Sequence, residues 1–278
     1  MKRRMIAFAL LCAMLLCGCG ERGNNDQSSQ TQQPEQSVTQ QVEPIYGYKE
    51  KTCEHIFTDD NTGDIYASYK YSVPMLGIVN EDELDEEKLA AAQRNVEVFN
   101  ARMQSILDDA VAYGEELAAE VNGVTFAMPL ADEKMLSVTC AGQIMTVIVD
   151  GYFYGGGAHP YVYTQSYTFD LRLGQFIDPA QIGDDPEAFR VKAAALLVAK
   201  AEGLGEDYTS GYWDDYAEII SHWNDAAVLF DEMGMTVTFS VYELGPYAMG
   251  PVELFVTYEE LAEAIGEGGL EHLGVLKK

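Results

Sequence analysis

The chain has 278 residues and a formal net charge of −28, from 45 acidic against 17 basic side chains. A field of that sign repels nucleic acid and anionic wall polymers and draws in cationic partners; it equally suits an exported domain that has only to stay soluble. Past its first residues the chain has no apolar stretch long enough to span a bilayer, which takes about 20 residues.

The N-terminus reads as a targeting segment. Lys2, Arg3 and Arg4 are a basic patch, and Met5 through Leu16 is an uncharged apolar run. It is too short for a membrane span and has the length of a signal-peptide core. It ends in Leu16-Cys17-Gly18-Cys19, a lipobox pattern. The expectation is a signal peptide over 1–18, then a lipid (diacylglycerol, with palmitate) on the Cys19 thiol. The chain would then sit lipid-anchored on the extracytoplasmic side of the cell membrane. An ordinary signal peptide cut elsewhere is the alternative. Residues 19–45 are rich in Gln, Ser, Asn and Thr. Such a segment cannot bury enough surface to offset its ordering entropy, so a tether is expected. Its r.m.s. reach would be about 25–30 Å.

Tyr66–Val73 alternates and predicts a strand, stopped by Pro74. Val96, Phe99, Met103, Ile106, Ala110, Tyr113 and Leu117 recur at three and four and predict one long helix. Strand-like runs follow at Gly123–Leu130, at Met135–Tyr154 (two segments or one bent strand) and at Tyr161–Leu171, with a turn at Leu173-Gly174. Pro186 opens a helix that Gly203 ends. Trp213–Phe230 reads as a helix or helical pair. Met235–Leu244 alternates, with Met235, Val237, Phe239 and Val241 inward and Thr236, Thr238 and Ser240 outward. Val252–Thr257 is another strand and Tyr258–Ile265 a closing helix. Strands and helices mix without strict alternation, which implies α+β with mixed or antiparallel sheets and packed helices.

Of the five cysteines, Cys53 and Cys140 remain after the leader and Cys19 are set aside. In an exported domain they are either a disulfide or two free thiols. The segment Tyr152-Phe153-Tyr154-Gly155-Gly156-Gly157-Ala158-His159-Pro160-Tyr161 stands out. Its glycines permit positive φ and close approach. A tyrosine-rich, glycine-flexed loop is good material for a binding surface. Tyr152, Tyr154, Gly155, Gly156, Gly157, His159 and Tyr161 are therefore the candidate ligand-binding residues. The competing reading is a plain hairpin loop. His55, His159, His222 and His272 are too far apart in sequence to suggest a metal motif, and no metal or cofactor is expected. Asp59–Asp64 fails the calcium-loop template and reads as a polar turn. Glu259, Glu260, Glu263 and Glu267 read as a solvated helix face.

The Gly-Gly-Ala-His core of Tyr152–Pro160, followed by Tyr167–Leu171 and Gly174, resembles the C-terminal ectodomain of the RsiV/PdaC-type extracellular domain family. So does Val237–Pro251, with its Gly245-Pro246-Tyr247-Ala248 turn, followed by Tyr258–Leu261. Tyr66–Gly77 and the helix to Leu117 resemble the companion domain that precedes it. The resemblance implies an α+β fold of two small subdomains, a companion over 46–130 and an RsiV C-terminal-like domain over 131–278. It also implies binding of lysozyme at the cell envelope. No transmembrane or deacetylase segment precedes the region, so the binding module alone is expected to transfer, without catalysis. Three functions follow. The first is a lipid-anchored binding domain for a cationic wall-active protein such as lysozyme, or for a peptidoglycan fragment. The second is a cell-wall glycan enzyme using His159. The third is a structural component of an envelope complex.

Overall fold

The computed structural model describes residues 42–122, 124, 128–205 and 210–276. Cys19, the leader and most of the expected tether lie outside them, as does half of the expected strand at Gly123–Leu130. Among the described residues no helix is long and apolar enough to cross a membrane.

The fold is α+β. Strands β1 (Tyr46–Thr58) and β2 (Ile65–Ile78) form a long hairpin. Its turn is held by Asp59, whose Oδ1 accepts from the N–H groups of Asn61 (2.8 Å) and Thr62 (2.9 Å), with Gly63 at φ 76°. Helix α1 (Glu86–Val121) then crosses over, so β3 (Leu130–Ala141) runs parallel to β2. Antiparallel β4 (Ile144–Tyr154), β5 (Tyr161–Asp170) and short β6 (Gln175–Ile177) complete a six-stranded mixed sheet in order β1-β2-β3-β4-β5-β6. β3 bonds to β2 on one side and β4 on the other. The sheet therefore runs through the expected boundary at 130/131.

A second sheet holds β7 (Ala227–Phe230), β8 (Gly234–Phe239) and β9 (Val252–Thr257), all antiparallel. Helices α2 (Pro186–Gly203), α3 (Tyr216–Ser221) and α4 (Tyr258–His272) pack around it. Its core joins Phe189, Leu197, Trp223, Phe230, Val237, Leu254 and Leu261 with Ala141 and Ile144 from the first sheet. The other core sets Phe99, Met103 and Leu107 of α1 against Tyr69, Tyr71, Val147, Val149 and Phe169 of the first sheet.

Several expectations change. β2 does not stop at Pro74 but runs to Ile78, with Pro74 opposite Glu50. The reason is the edge geometry. β3 leaves β2 after Ser72, and two residues past Pro74 the Leu76 N–H and C=O turn to Asn100 of α1 (2.7 and 3.0 Å). Pro74 points its missing N–H the same way, so no ladder bond is lost. β1 was not visible as a strand because it is an edge strand with a largely exposed, charged surface. The buried stripe of α1 drifts by one residue after Met103, to Leu107, Ala110, Gly114 and Ala118 in place of Ile106, Tyr113 and Leu117. Gly114 is needed there because a Cβ would meet the Tyr69 ring at 2.5 Å. Trp213–Phe230 is not a helical pair throughout: Ala227–Phe230 is a strand. Ser240 is not outward but buried, because its hydroxyl clips onto β5. Cys53 and Cys140 are free thiols. Cys53 lies opposite Tyr71, Tyr71 lies opposite Lys134, and Cys140 is six residues further along β3. That separation of about 20 Å rules out a disulfide between them in this fold.

α4 is broken at Gly266 (φ 81°), which ends its first part where the sequence predicts. Asp184 restarts it by accepting from Gly268 N (3.2 Å) and Gly269 N (3.1 Å). Glu260 is more than a solvated face residue. It closes a capping box with Thr257, and the Lys200 ammonium (2.6 Å), together with Thr257, holds its carboxyl down at about 2.

Candidate functional site

The β4–β5 hairpin distributes the residues of the glycine loop among three places. Tyr152 lies opposite Val162, while Tyr161 lies opposite Phe153. Strand alternation then puts Tyr152 and Tyr154 on one face of the sheet and Tyr161 on the other. Gly155, Gly156 and Gly157 are exposed at the tip, and Gly156 takes φ 84°. The third place belongs to His159, which reaches away from the hairpin to the segment after β8.

There His159 is exposed and meets two tyrosine side chains of that segment. Its ring stacks on Tyr247 at 3.7 Å between centroids and 15° between planes. Nε2 lies 3.3 Å from the Tyr242 hydroxyl and Nδ1 lies 3.3 Å from the Pro160 carbonyl. One tautomer serves both: Nδ1–H donates to Pro160, and Tyr242 O–H donates to Nε2. Tyr242 and Tyr247 are 5.7 Å apart, so three rings form one patch.

The patch is held from below. Tyr242 has φ 71°, the only positive φ among the described non-glycine residues. That conformation costs on the order of 1–3 kcal/mol and persists only when neighbours enforce it. Trp213 does so, donating its indole N–H to Tyr242 O (3.1 Å) and its backbone N–H to Leu244 O (2.8 Å). Gly245 lets the chain pass within reach of Gly211 O, where a Cβ would sit at 2.7 Å. Beside the patch Glu243 accepts from Ser240 N (2.6 Å), and burial there pushes its carboxyl above the usual carboxylate range. Burial also raises Tyr161, with Glu243 adding to the effect.

Tyr242 is 48% exposed and Trp213 41% exposed. These are large aromatic surfaces turned to solvent on a rigid support, which is the composition of a binding surface. Tyr242, Tyr247 and Trp213 were not among the candidates read from the sequence. Trp213 opened an expected helix and Tyr242 lay in an expected strand, so only Tyr247, in the Gly245-Pro246 turn, carried a local signal. Replacing Tyr242 with Gly is expected to leave the melting temperature unchanged or higher, because the backbone strain is relieved, while removing the patch. A melting temperature clearly below the parent's would show that the ring itself supports the fold.

Residues 208–259 match the family model described as "Protein of unknown function (DUF3298)". The match takes in Trp213, Tyr242 and Tyr247, and the Val237–Pro251 segment, but not the glycine loop. No curated protein matches the chain. A solved member of the DUF3298 family from Bacteroides fragilis is 16% identical with a TM-score of 0.59, over 83% of this chain and 97% of that one. A DUF3298 family protein from Pseudomonas aeruginosa PAO1 is 15% identical with a TM-score of 0.46, over 81% and 96%. The chain thus carries a segment similar to this family of unknown function, and most of it shares the fold of the Bacteroides fragilis member.

Proposed function

We propose that the chain is a lipid-anchored extracytoplasmic binding domain whose ligand is a cationic protein docking on His159, Tyr242 and Tyr247. The observation that carries this reading is the enforced φ of Tyr242. The fold spends stability to present a stacked aromatic patch where no core packing requires it. The acidic chain adds long-range attraction for a basic partner, which raises the encounter rate and falls with salt. The resemblance to RsiV-type ectodomains suggests lysozyme as the protein to try first.

The test is retention of lysozyme by the immobilised chain at low and moderate salt. The expected result is saturable binding, weaker at higher salt. His159→Ala and Tyr247→Ala should each weaken it by about 30-fold or more, as central aromatic anchors do. Lack of retention at both salts removes lysozyme as the ligand.

A further inference from the structure

A second site lies apart from the aromatic patch. A cleft of about 700 Å³ opens along β5, between α1 and the turns that carry Asp225 and Glu243. That volume falls within the roughly 300–1,000 Å³ of small-ligand sites. His159, Tyr242 and Tyr247 do not line it.

One wall is aromatic. Tyr161, Tyr163 and Tyr167 alternate onto the face of β5 turned to α1, the face on which Phe169 meets Phe99. Tyr161 and Tyr163 stack at 5.6 Å and 24°, and Tyr161 is 40% exposed. Gly151 makes this wall possible, since any side chain there would run into the Tyr163 ring that lies across it. From Tyr161 to Tyr167 the strand advances about 20 Å, so the wall is long.

The charge around the cleft is negative on balance. Asp109 comes from α1, Asp225 from the turn before β7 and Glu243 from the turn after β8. None of the three has an ion pair among the described residues. Lys134 is committed to Asp132 (3.6 Å), which leaves the Arg102 guanidinium, lying over the Tyr167 ring (5.2 Å), against three carboxylates. Glu243 has one backbone donor, Ser240 N, and burial raises its carboxyl; it also stands close enough to Tyr161 to raise that phenol. A cation would supply the compensation that these groups lack, and tyrosine ring faces attract ammonium groups. Carboxylates spread over three segments suit several charges held apart, not one compact ion. We propose that the cleft binds a linear polyamine, its ammonium groups beside Asp109, Asp225 and Glu243 and its methylene chain along Tyr161 and Tyr163. This ligand and this place are separate from a protein docked on His159, Tyr242 and Tyr247, and neither reading depends on the other.

The test titrates the whole chain with spermidine by calorimetry at about 0.15 M salt, where exposed charges more than about 8 Å away are largely screened. Saturable one-to-one binding is expected, tighter than that of putrescine, which carries fewer ammonium groups. Asp225→Asn combined with Glu243→Gln should lower the affinity about tenfold or more, and Tyr161→Leu about threefold or more. The two amide substitutions keep each side chain's shape and an acceptor oxygen, so the fold is retained. Glu259→Gln removes an exposed carboxylate of α4 that does not line the cleft, and it should keep the parental affinity. Absence of saturable spermidine binding overturns the proposal. So does a loss in Glu259→Gln equal to that of the double variant, which would mark the binding as diffuse attraction to an acidic chain.

Discussion

Replacing His272 with Ala is expected to lower the unfolding free energy by about 3 kcal/mol, read as a fall in the urea midpoint. His272 and Asp170 are a buried pair, with side chains 4% and 2% exposed and Nε2 3.2 Å from Oδ1. His272 Nδ1 lies 3.4 Å from the Arg172 guanidinium, which donates to it. The backbone N–H groups of Arg172 and Leu173 donate to Asp170 Oδ1 at 2.8 and 3.0 Å. Removing the imidazole leaves a buried carboxylate with less compensation, and it unfastens the end of α4 from the end of β5. Burial alone would raise the Asp170 pKa, but the bonds from His272, Leu173 and Arg172 outweigh it and hold the carboxyl below its ordinary value. A lowered carboxylate stabilises the fold above its unfolded pKa of about 3.9, and that stabilisation is lost as the pH falls through the folded value. The stability gap between parent and Asp170→Asn should therefore narrow below about pH 4. A constant gap from pH 7 to pH 3 would mean that Asp170 does not carry the acid sensitivity.

Gly142→Ala should cost at least about 2 kcal/mol, because two penalties coincide there. Gly142 sits at φ 55°, and a Cβ would lie 2.5 Å from Gly274 N, His272 O and Leu273 C. These are backbone atoms and cannot swing aside. The same turn supplies Gln143 N to His272 O (2.8 Å), so the substitution pushes the C-terminal segment off the first sheet. Gly63→Ala is the control. Gly63 has φ 76° but nothing within 4 Å of a Cβ, so it should cost only the left-handed backbone penalty of about 1–2 kcal/mol. Equal losses at the two positions would show that the close approach at Gly142 contributes nothing.

Both predictions concern contacts between residues about 100 or more apart in the chain, and neither site was visible in the sequence. His272 was one of four scattered histidines until the fold brought it to Asp170. Local signals did better where packing agreed with them. Pro186 and Gly203 bound α2, and Gly266 ends the first part of α4, because these residues act on their own backbone. Pro74 shows the opposite case. Its missing N–H was a sound reason to stop a strand, but the neighbouring strand had already departed, a fact no local window contains.

The glycine loop followed the same division. Its residue types announced a hairpin with an unusual tip, and strand alternation alone decides that Tyr152 and Tyr161 face opposite ways. That His159 would meet Tyr242 and Tyr247, more than 80 residues on, depended on how the second sheet packs beside the first.

The sequence by itself determined the acidic field, the lipobox pattern ending at Cys19, the α+β class and the position of most elements. Each of these is set by charge, by a short motif or by hydrophobic period along the chain. Only the tertiary structure decided which aromatics form the surface patch and that Cys53 and Cys140 stand apart. Those outcomes rest on strand register and sheet packing, which bring together residues whose spacing in the chain carries no record of the contact.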